Sequence, residues 1–293
     1  MDTLTSRYGH MIAEMLKHSM GKNKVTEERT YEKGNSDLIP FVESMLSEWL
    51  TPNSEVRHFE NFARLSAMAR EGKGCLVLAE HYSNLDFPSV HYLLRKKGEE
   101  GRRAAEILTA VASVRLHEQS PGTSAFVEAY TRVLVYPAQS IETLRGKPMT
   151  DAVRAELARS VSINRAAMKH IAESKKRGEI VLIFPAGTRY RPGKPQTKRG
   201  LREIDSYLKM FDAFMLLSIN GNCLRVQEGP DMLEDTLHHD RIVVDCSPIQ
   251  SPAEFRAPIL AGLGAGEDRK QAVVDALMAR IEAMHREVEK DRL

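Results

Sequence analysis

The sequence predicts an α/β fold: a mostly parallel or mixed central sheet flanked by helices, with a small N-terminal helical region. Three observations lead there. Apolar runs of strand length recur after residue 73, segments of helical periodicity separate several of them, and residues 1–72 carry helical stripes without such runs. Strands that alternate with helices form a largely parallel sheet covered on both faces. The expected division is a helical region over 1–72 and an α/β domain over 73–293.

In the first region, Leu38, Phe41, Val42, Met45, Leu46, Trp49 and Leu50 recur at the i, i+3, i+4 spacing of an amphipathic helix. Asp37 is the expected N-cap, and Pro40 falls in the first turn, where its missing N–H costs little. Tyr8, Met11, Ile12 and Met15 make a weaker stripe, and Val56, Phe59, Phe62 and Ala63 a third. These helices either pack on the main domain as a small bundle or offer a surface to a membrane or a carrier protein. Beyond Lys73-Gly74, strands are expected at 75–79, 107–112, 133–136, 180–184, 215–219 and 242–246. Helices are expected at 88–97, 150–176, 201–211 and 268–290, and Ser251 to Glu254 reads as a capping box opening a short helix.

A chain of 293 residues, 42% hydrophobic, can bury a core that needs neither metal nor disulfide to hold it. The net charge of +2 is too balanced for a surface built to bind nucleic acid. Cys75, Cys223 and Cys246 are far apart, which suits a reducing cytosol, and no metal-type spacing occurs. Charged residues interrupt the first 20 positions, so no signal peptide is expected. No apolar run approaches the roughly 20 residues of a spanning helix. The expected location is cytoplasmic, with peripheral membrane contact left open.

Two segments carry chemistry. The apolar run from Leu76 to Ala79 ends in Glu80-His81, and Asp86 follows five residues after the histidine, just before Phe87-Pro88 opens a helix. Reactive groups collect at the carboxyl ends of strands in open α/β sheets. A turn there lets an aspartate hold one ring nitrogen, leaving the other to take a proton from a hydroxyl. Histidine as a residue type titrates at about 6.5, near working pH. The same spacing equally fits a structural histidine that caps the next helix. The second segment runs from Ile180 through Phe184-Pro185-Ala186-Gly187-Thr188-Arg189-Tyr190-Arg191. Gly187 would let backbone approach a ligand closely. Arg189 and Arg191, two apart, point the same way in an extended loop and suit a bidentate grip on phosphate. Between Arg189 and Arg202 stand Arg189, Arg191, Lys194, Lys198, Arg199 and Arg202, with no acidic residue. A solvated basic loop is the plainer alternative.

Together the two segments resemble the glycerolipid acyltransferase family, whose hallmarks are His-x4-Asp and a later Phe-Pro-Glu-Gly-Thr-Arg block. Here they read His81-Tyr82-Ser83-Asn84-Leu85-Asp86 and Phe184-Pro185-Ala186-Gly187-Thr188-Arg189. The double-arginine loop continuing to Lys198, and Arg115 after an expected strand, are most similar to the soluble plastid-type glycerol-3-phosphate acyltransferases. The resemblance implies that His81 deprotonates the acceptor hydroxyl, oriented by Asp86, for direct attack on an acyl thioester. It places Arg189, Arg191, Gly187, Thr188, Lys198 and Arg115 in substrate binding. No cofactor or metal is implied; acyl-coenzyme A or an acyl-carrier thioester serves as cosubstrate, with glycerol 3-phosphate or a related phosphorylated alcohol as acceptor. Two positions depart from the family. Ala186 replaces the usual glutamate, as in plastid-type enzymes, and Pro137-Ala138-Gln139 stands where basic residues normally follow a strand. Arg132 and Arg145 lie near that gap.

Acyl transfer to glycerol 3-phosphate, as a step of phospholipid biosynthesis, is the leading expectation. Transfer to lysophosphatidate or another lipid alcohol is the nearest alternative. A thioesterase would leave the arginine loop unexplained, and a module binding anionic lipid would make the His81–Asp86 pairing accidental.

Overall fold

A computed structural model describes residues 2–21, 24–227 and 231–292. The N-terminal region comprises α1 (Leu4–His18), β1 (Tyr31–Glu32), α2 (Ile39–Trp49), β2 (Glu55–Arg57) and α3 (Phe59–Arg70). There follow β3 (Cys75–Ala79), α4 (Asp86–Arg95), α5 (Gly98–Glu106), β4 (Leu108–Ser113), α6 (Val114–His117), α7 (Pro121–Glu128), β5 (Arg132–Val135), α8 (Ala138–Arg145) and α9 (Asp151–Ala172). The remainder is β6 (Ile180–Ile183), α10 (Ile204–Leu208), β7 (Ala213–Asn220), β8 (Leu224–Arg225), β9 (Thr236–Leu237), β10 (Val243–Cys246), α11 (Pro252–Ala261) and α12 (Arg269–Arg292).

One sheet of eight strands runs in the order β1-β5-β4-β6-β3-β7-β10-β2, with β8 and β9 in a separate ribbon. Strands β5, β4, β6, β3 and β7 are parallel to one another; β1 and β10 run antiparallel to β5 and β7, and β2 parallel to β10. The sheet is therefore mixed around a parallel centre, and its two edges both come from residues before 73.

The central strands alternate between two cores. Cys75, Val77 and Ala79 of β3 join the apolar cluster beneath α2, α3, α4, α5 and α7, while Leu76 and Leu78 join the cluster beneath α9, α10, α11 and α12. Full burial on both faces explains why these strands read as continuous apolar runs. Among the described residues, no helix is long and apolar enough to cross a membrane.

All six expected strands form, but several expected details change. Asp37 is not the N-cap of α2: Asn35 accepts the Asp37 N–H at 3.1 Å and starts a 3-10 turn that runs into the helix. Val56 lies on β2, apart from the helical stripe of Phe59 and Phe62 on α3. The long helix expected over 150–176 ends at Ala172 and tightens into a 3-10 turn closed by left-handed Gly178 at φ 67°. The 201–211 helix contracts to the single short α10.

What matters for function is the shared direction of β3, β4, β5 and β6. Their carboxyl ends open onto one side of the sheet, the side where open α/β sheets place ligands.

Candidate active site

Two residues past the end of β3, the chain turns sharply at His81 and returns at Asp86, the first residue of α4. His81 Nδ1 lies 2.9 Å from Asp86 Oδ2. The same oxygen accepts the backbone N–H groups of Tyr82 at 2.6 Å and Ser83 at 2.9 Å, and the Ser83 hydroxyl donates to Oδ1 at 3.2 Å. Four donors thus converge on one buried carboxylate at a helix N-terminus, where the axial dipole also favours negative charge. The turn is tied by the aspartate rather than by the histidine, so the imidazole is free of a capping role. Its ring stacks on Phe184, with centroids 3.9 Å apart and planes 11° from parallel. With Nδ1–H donating to Asp86, Nε2 carries the free lone pair.

The arginine loop is locked to this turn. Gly187, at φ 64°, donates its N–H to Phe184 C=O at 2.9 Å, and a Cβ there would meet Leu201 Cδ1 at 2.6 Å. A left-handed backbone in so tight a space selects glycine. Tyr190 N–H then donates to the His81 carbonyl at 2.7 Å, a direct bond between the loops bearing His81 and the arginines. Arg189 Nη1 lies 2.6 Å from Asp235 Oδ2, both side chains nearly buried. Burial raises the Asp235 carboxyl above its ordinary value, opposed by the Gln227 N–H and by Arg189 and Arg191. Arg191 has no ion-pair partner among the described residues, and its N–H donates to Thr197 Oγ1 at 3.0 Å.

His81, Arg115, Gly187, Thr188, Arg189 and Arg191 all line one cavity of about 730 Å³ across the carboxyl ends of the parallel strands, with Asp86 directly behind the imidazole. Arg115 sits at the start of α6, where its N–H donates to Ser113 Oγ at 3.1 Å. Lys198 stands outside that cavity. It lines a smaller one of about 250 Å³ that shares the His81 wall, with Nζ 3.2 Å from Glu282 Oε2 and over the rings of Tyr82 and Tyr190.

The stretch Pro137-Ala138-Gln139 also borders the large cavity and begins α8. Arg132 borders it too, but is 2% exposed and ion-paired with Glu32 across the β1–β5 edge. Arg145 is exposed at the end of α8. Asp235, which holds Arg189, was not foreseeable: it lies 46 positions downstream in a segment without motif or periodicity.

No cysteine offers a nucleophile. Burial pushes the Cys75 and Cys223 thiols up to about 12 and raises that of Cys246 well above its ordinary value. Among the described residues no group of three or more His, Cys, Asp or Glu side chains is placed to hold a metal ion.

The family model described as Acyltransferase matches residues 54–211, more than half of the chain. That span contains the His81–Asp86 turn, Arg115 and the loop from Gly187 to Lys198. No curated protein matches the sequence.

Proposed function

Because this chain belongs to the acyltransferase family, we propose that it moves a fatty acyl group from a coenzyme A or acyl-carrier thioester to the sn-1 hydroxyl of glycerol 3-phosphate. One observation carries the reading: an imidazole fixed by Asp86 and the guanidiniums of Arg189 and Arg191 face one cavity, on loops joined by the Tyr190–His81 hydrogen bond. A base and an anion grip a short distance apart suit a small alcohol that bears a phosphate.

In this mechanism the acceptor hydroxyl gives its proton to His81 Nε2 as its oxygen attacks the thioester carbonyl. Asp86 holds the ring and stabilises the imidazolium. The tetrahedral intermediate collapses with cleavage of the C–S bond, and the imidazolium returns the proton to the departing thiolate. No acyl-enzyme forms. The Tyr82 and Ser83 N–H groups are committed to Asp86, so donors to the oxyanion come from elsewhere on the cavity wall. Arg189, braced by Asp235, gives a fixed contact to the phosphate, and Arg191 adds an uncommitted one. Lys198, clasped between two tyrosine rings and Glu282, supports the loop rather than the phosphate.

The cavity also has an apolar stretch formed by Ile183, Leu201 and Ile204, which leaves room for a lipid chain on the acceptor. Lysophosphatidate is therefore the second reading. Thiol release from an acyl thioester, with and without each acceptor, separates the classes. Release that depends on glycerol 3-phosphate supports the proposal, and release that depends on lysophosphatidate favours the second reading. Release that ignores both indicates a thioesterase, and none with any donor a binding module.

A further inference from the structure

The large cavity is lined by His81, just past the end of β3, and also by Ala110, three residues before the end of β4. The part of the cavity at that level, its lower lobe, is lined by Phe87 of α4, Phe126 of α7 and the small side chain of Ala110 on β4. The next residue down the same face, Leu108, is 2% exposed and packed in the core. Tyr130 closes the lobe from the α7 side. Its ring is 6% exposed, edge-on to Phe87 at 5.2 Å and to His91 at 5.0 Å. Arg132, the strand partner of Ala110, adds a desolvated ion pair with Glu32. A hydrocarbon tail gains nothing by pushing into that pair.

Depth follows from strand register. Ala110, Leu182 and Val77 stand level across the sheet, with Ser113 three residues above Ala110 and His81 four beyond Val77. At about 3.3 Å per residue the floor lies roughly 10–13 Å below the reacting centre.

We propose that this lobe receives the acyl chain and that the Tyr130 ring ends it, so the preferred donors carry roughly eight to ten carbons, each advancing about 1.3 Å in an extended chain. The inference rests on the acyl-transfer reading above and adds to it the class of acyl group. Tyr130 is then a residue that sets specificity, remote from the proton transfer at His81.

The test is a chain-length series of acyl-coenzyme A thioesters, octanoyl to palmitoyl, at saturating glycerol 3-phosphate. Wild-type kcat/KM should fall at least about 10-fold between decanoyl and palmitoyl, the scale on which apolar pockets reject extra methylenes. Tyr130→Ala should remove most of that difference, and Tyr130→Phe should leave it unchanged, because the ring and not the hydroxyl closes the lobe. Ala110→Leu fills the lobe from the sheet side without deleting a core aromatic, so it decides the matter even if Tyr130→Ala does not fold. It should depress decanoyl turnover while sparing butyryl. Palmitoyl turnover equal to or faster than decanoyl in the wild type overturns the proposal. Absence of acceptor-dependent release at every chain length would instead defeat the acyl-transfer reading itself.

Discussion

Replacing Asp86 by Asn changes one atom of the site and tests the base directly. In the native turn Oδ2 faces three N–H donors: Tyr82 at 2.6 Å, Ser83 at 2.9 Å and His81 Nδ1 at 2.9 Å. An amide nitrogen in that position would point N–H at N–H. Turning the amide over puts its oxygen there, but as a neutral acceptor. His81 therefore loses a hydrogen bond to a charged group, worth about 1.5–3 kcal/mol. At about 1.4 kcal/mol per factor of ten, that loss alone slows the reaction by roughly 10–10². If the ring also adopts the wrong tautomer, the loss approaches the ~10⁴ seen when a buried aspartate behind a catalytic histidine is made neutral. Steady-state kinetics with an acyl thioester and glycerol 3-phosphate should show kcat down by at least ~10-fold with the acceptor KM little changed, the signature of an interaction made in the transition state. A folded Asp86→Asn enzyme with near wild-type kcat would refute the argument that this carboxylate organises the base.

Arg189→Ala should raise the acceptor KM at least ~10-fold by removing a charge-assisted contact. It should also lower the urea midpoint, since Asp235 is left buried without its counter-charge, a change that costs about 3–5 kcal/mol; an unchanged KM contradicts the phosphate role. Gly187→Ala should lower the melting temperature, because the φ of 64° costs an L-residue about 1–2 kcal/mol and the new Cβ would press on Leu201 at 2.6 Å. An unaltered melt contradicts the tight packing of that loop. Burial holds the His91 imidazole down at about 4 against an ordinary value near 6.5. The unfolded chain thus binds the proton more readily, and stability that is complete above pH 6.5 should fall as pH drops toward 4. At about 1.4 kcal/mol per pH unit the loss sums to roughly 3 kcal/mol. His91→Phe should flatten that part of the stability–pH curve, and a wild-type curve already flat there would contradict the burial argument.

What the sequence disclosed depends on how far apart the cooperating residues lie. His81 and Asp86 share one turn, and Gly187, Arg189 and Arg191 share one loop, so spacing alone grouped them. The strands β3 and β6 showed because burial on both faces makes them uniformly apolar. The edges β1 and β2 span only two and three residues, too few for alternation to register. Helix α5 escaped because Gly98, Gly101 and its charged residues leave only alanines to mark an apolar side. Partnerships across long separations left no local trace either. Arg189 meets Asp235 over 46 positions, Lys198 meets Glu282 over 84, and Arg132 meets Glu32 over 100. Such pairs decide which arginines face the cavity and which are spent on the fold, and only the folded chain distinguishes them. Arg132 illustrates the point: adjacent in sequence to the missing basic residues, it is held in the cavity floor by Glu32.

Removing the imidazole in His81→Ala, with turnover measured as thiol release at saturating thioester and glycerol 3-phosphate, isolates the proton transfer. Its kcat should fall by at least ~10², the low end for removal of a general base, with glycerol 3-phosphate still bound at wild-type affinity. Undiminished turnover in that variant would mean that the imidazole between Phe184 and Asp86 takes no proton from the acceptor.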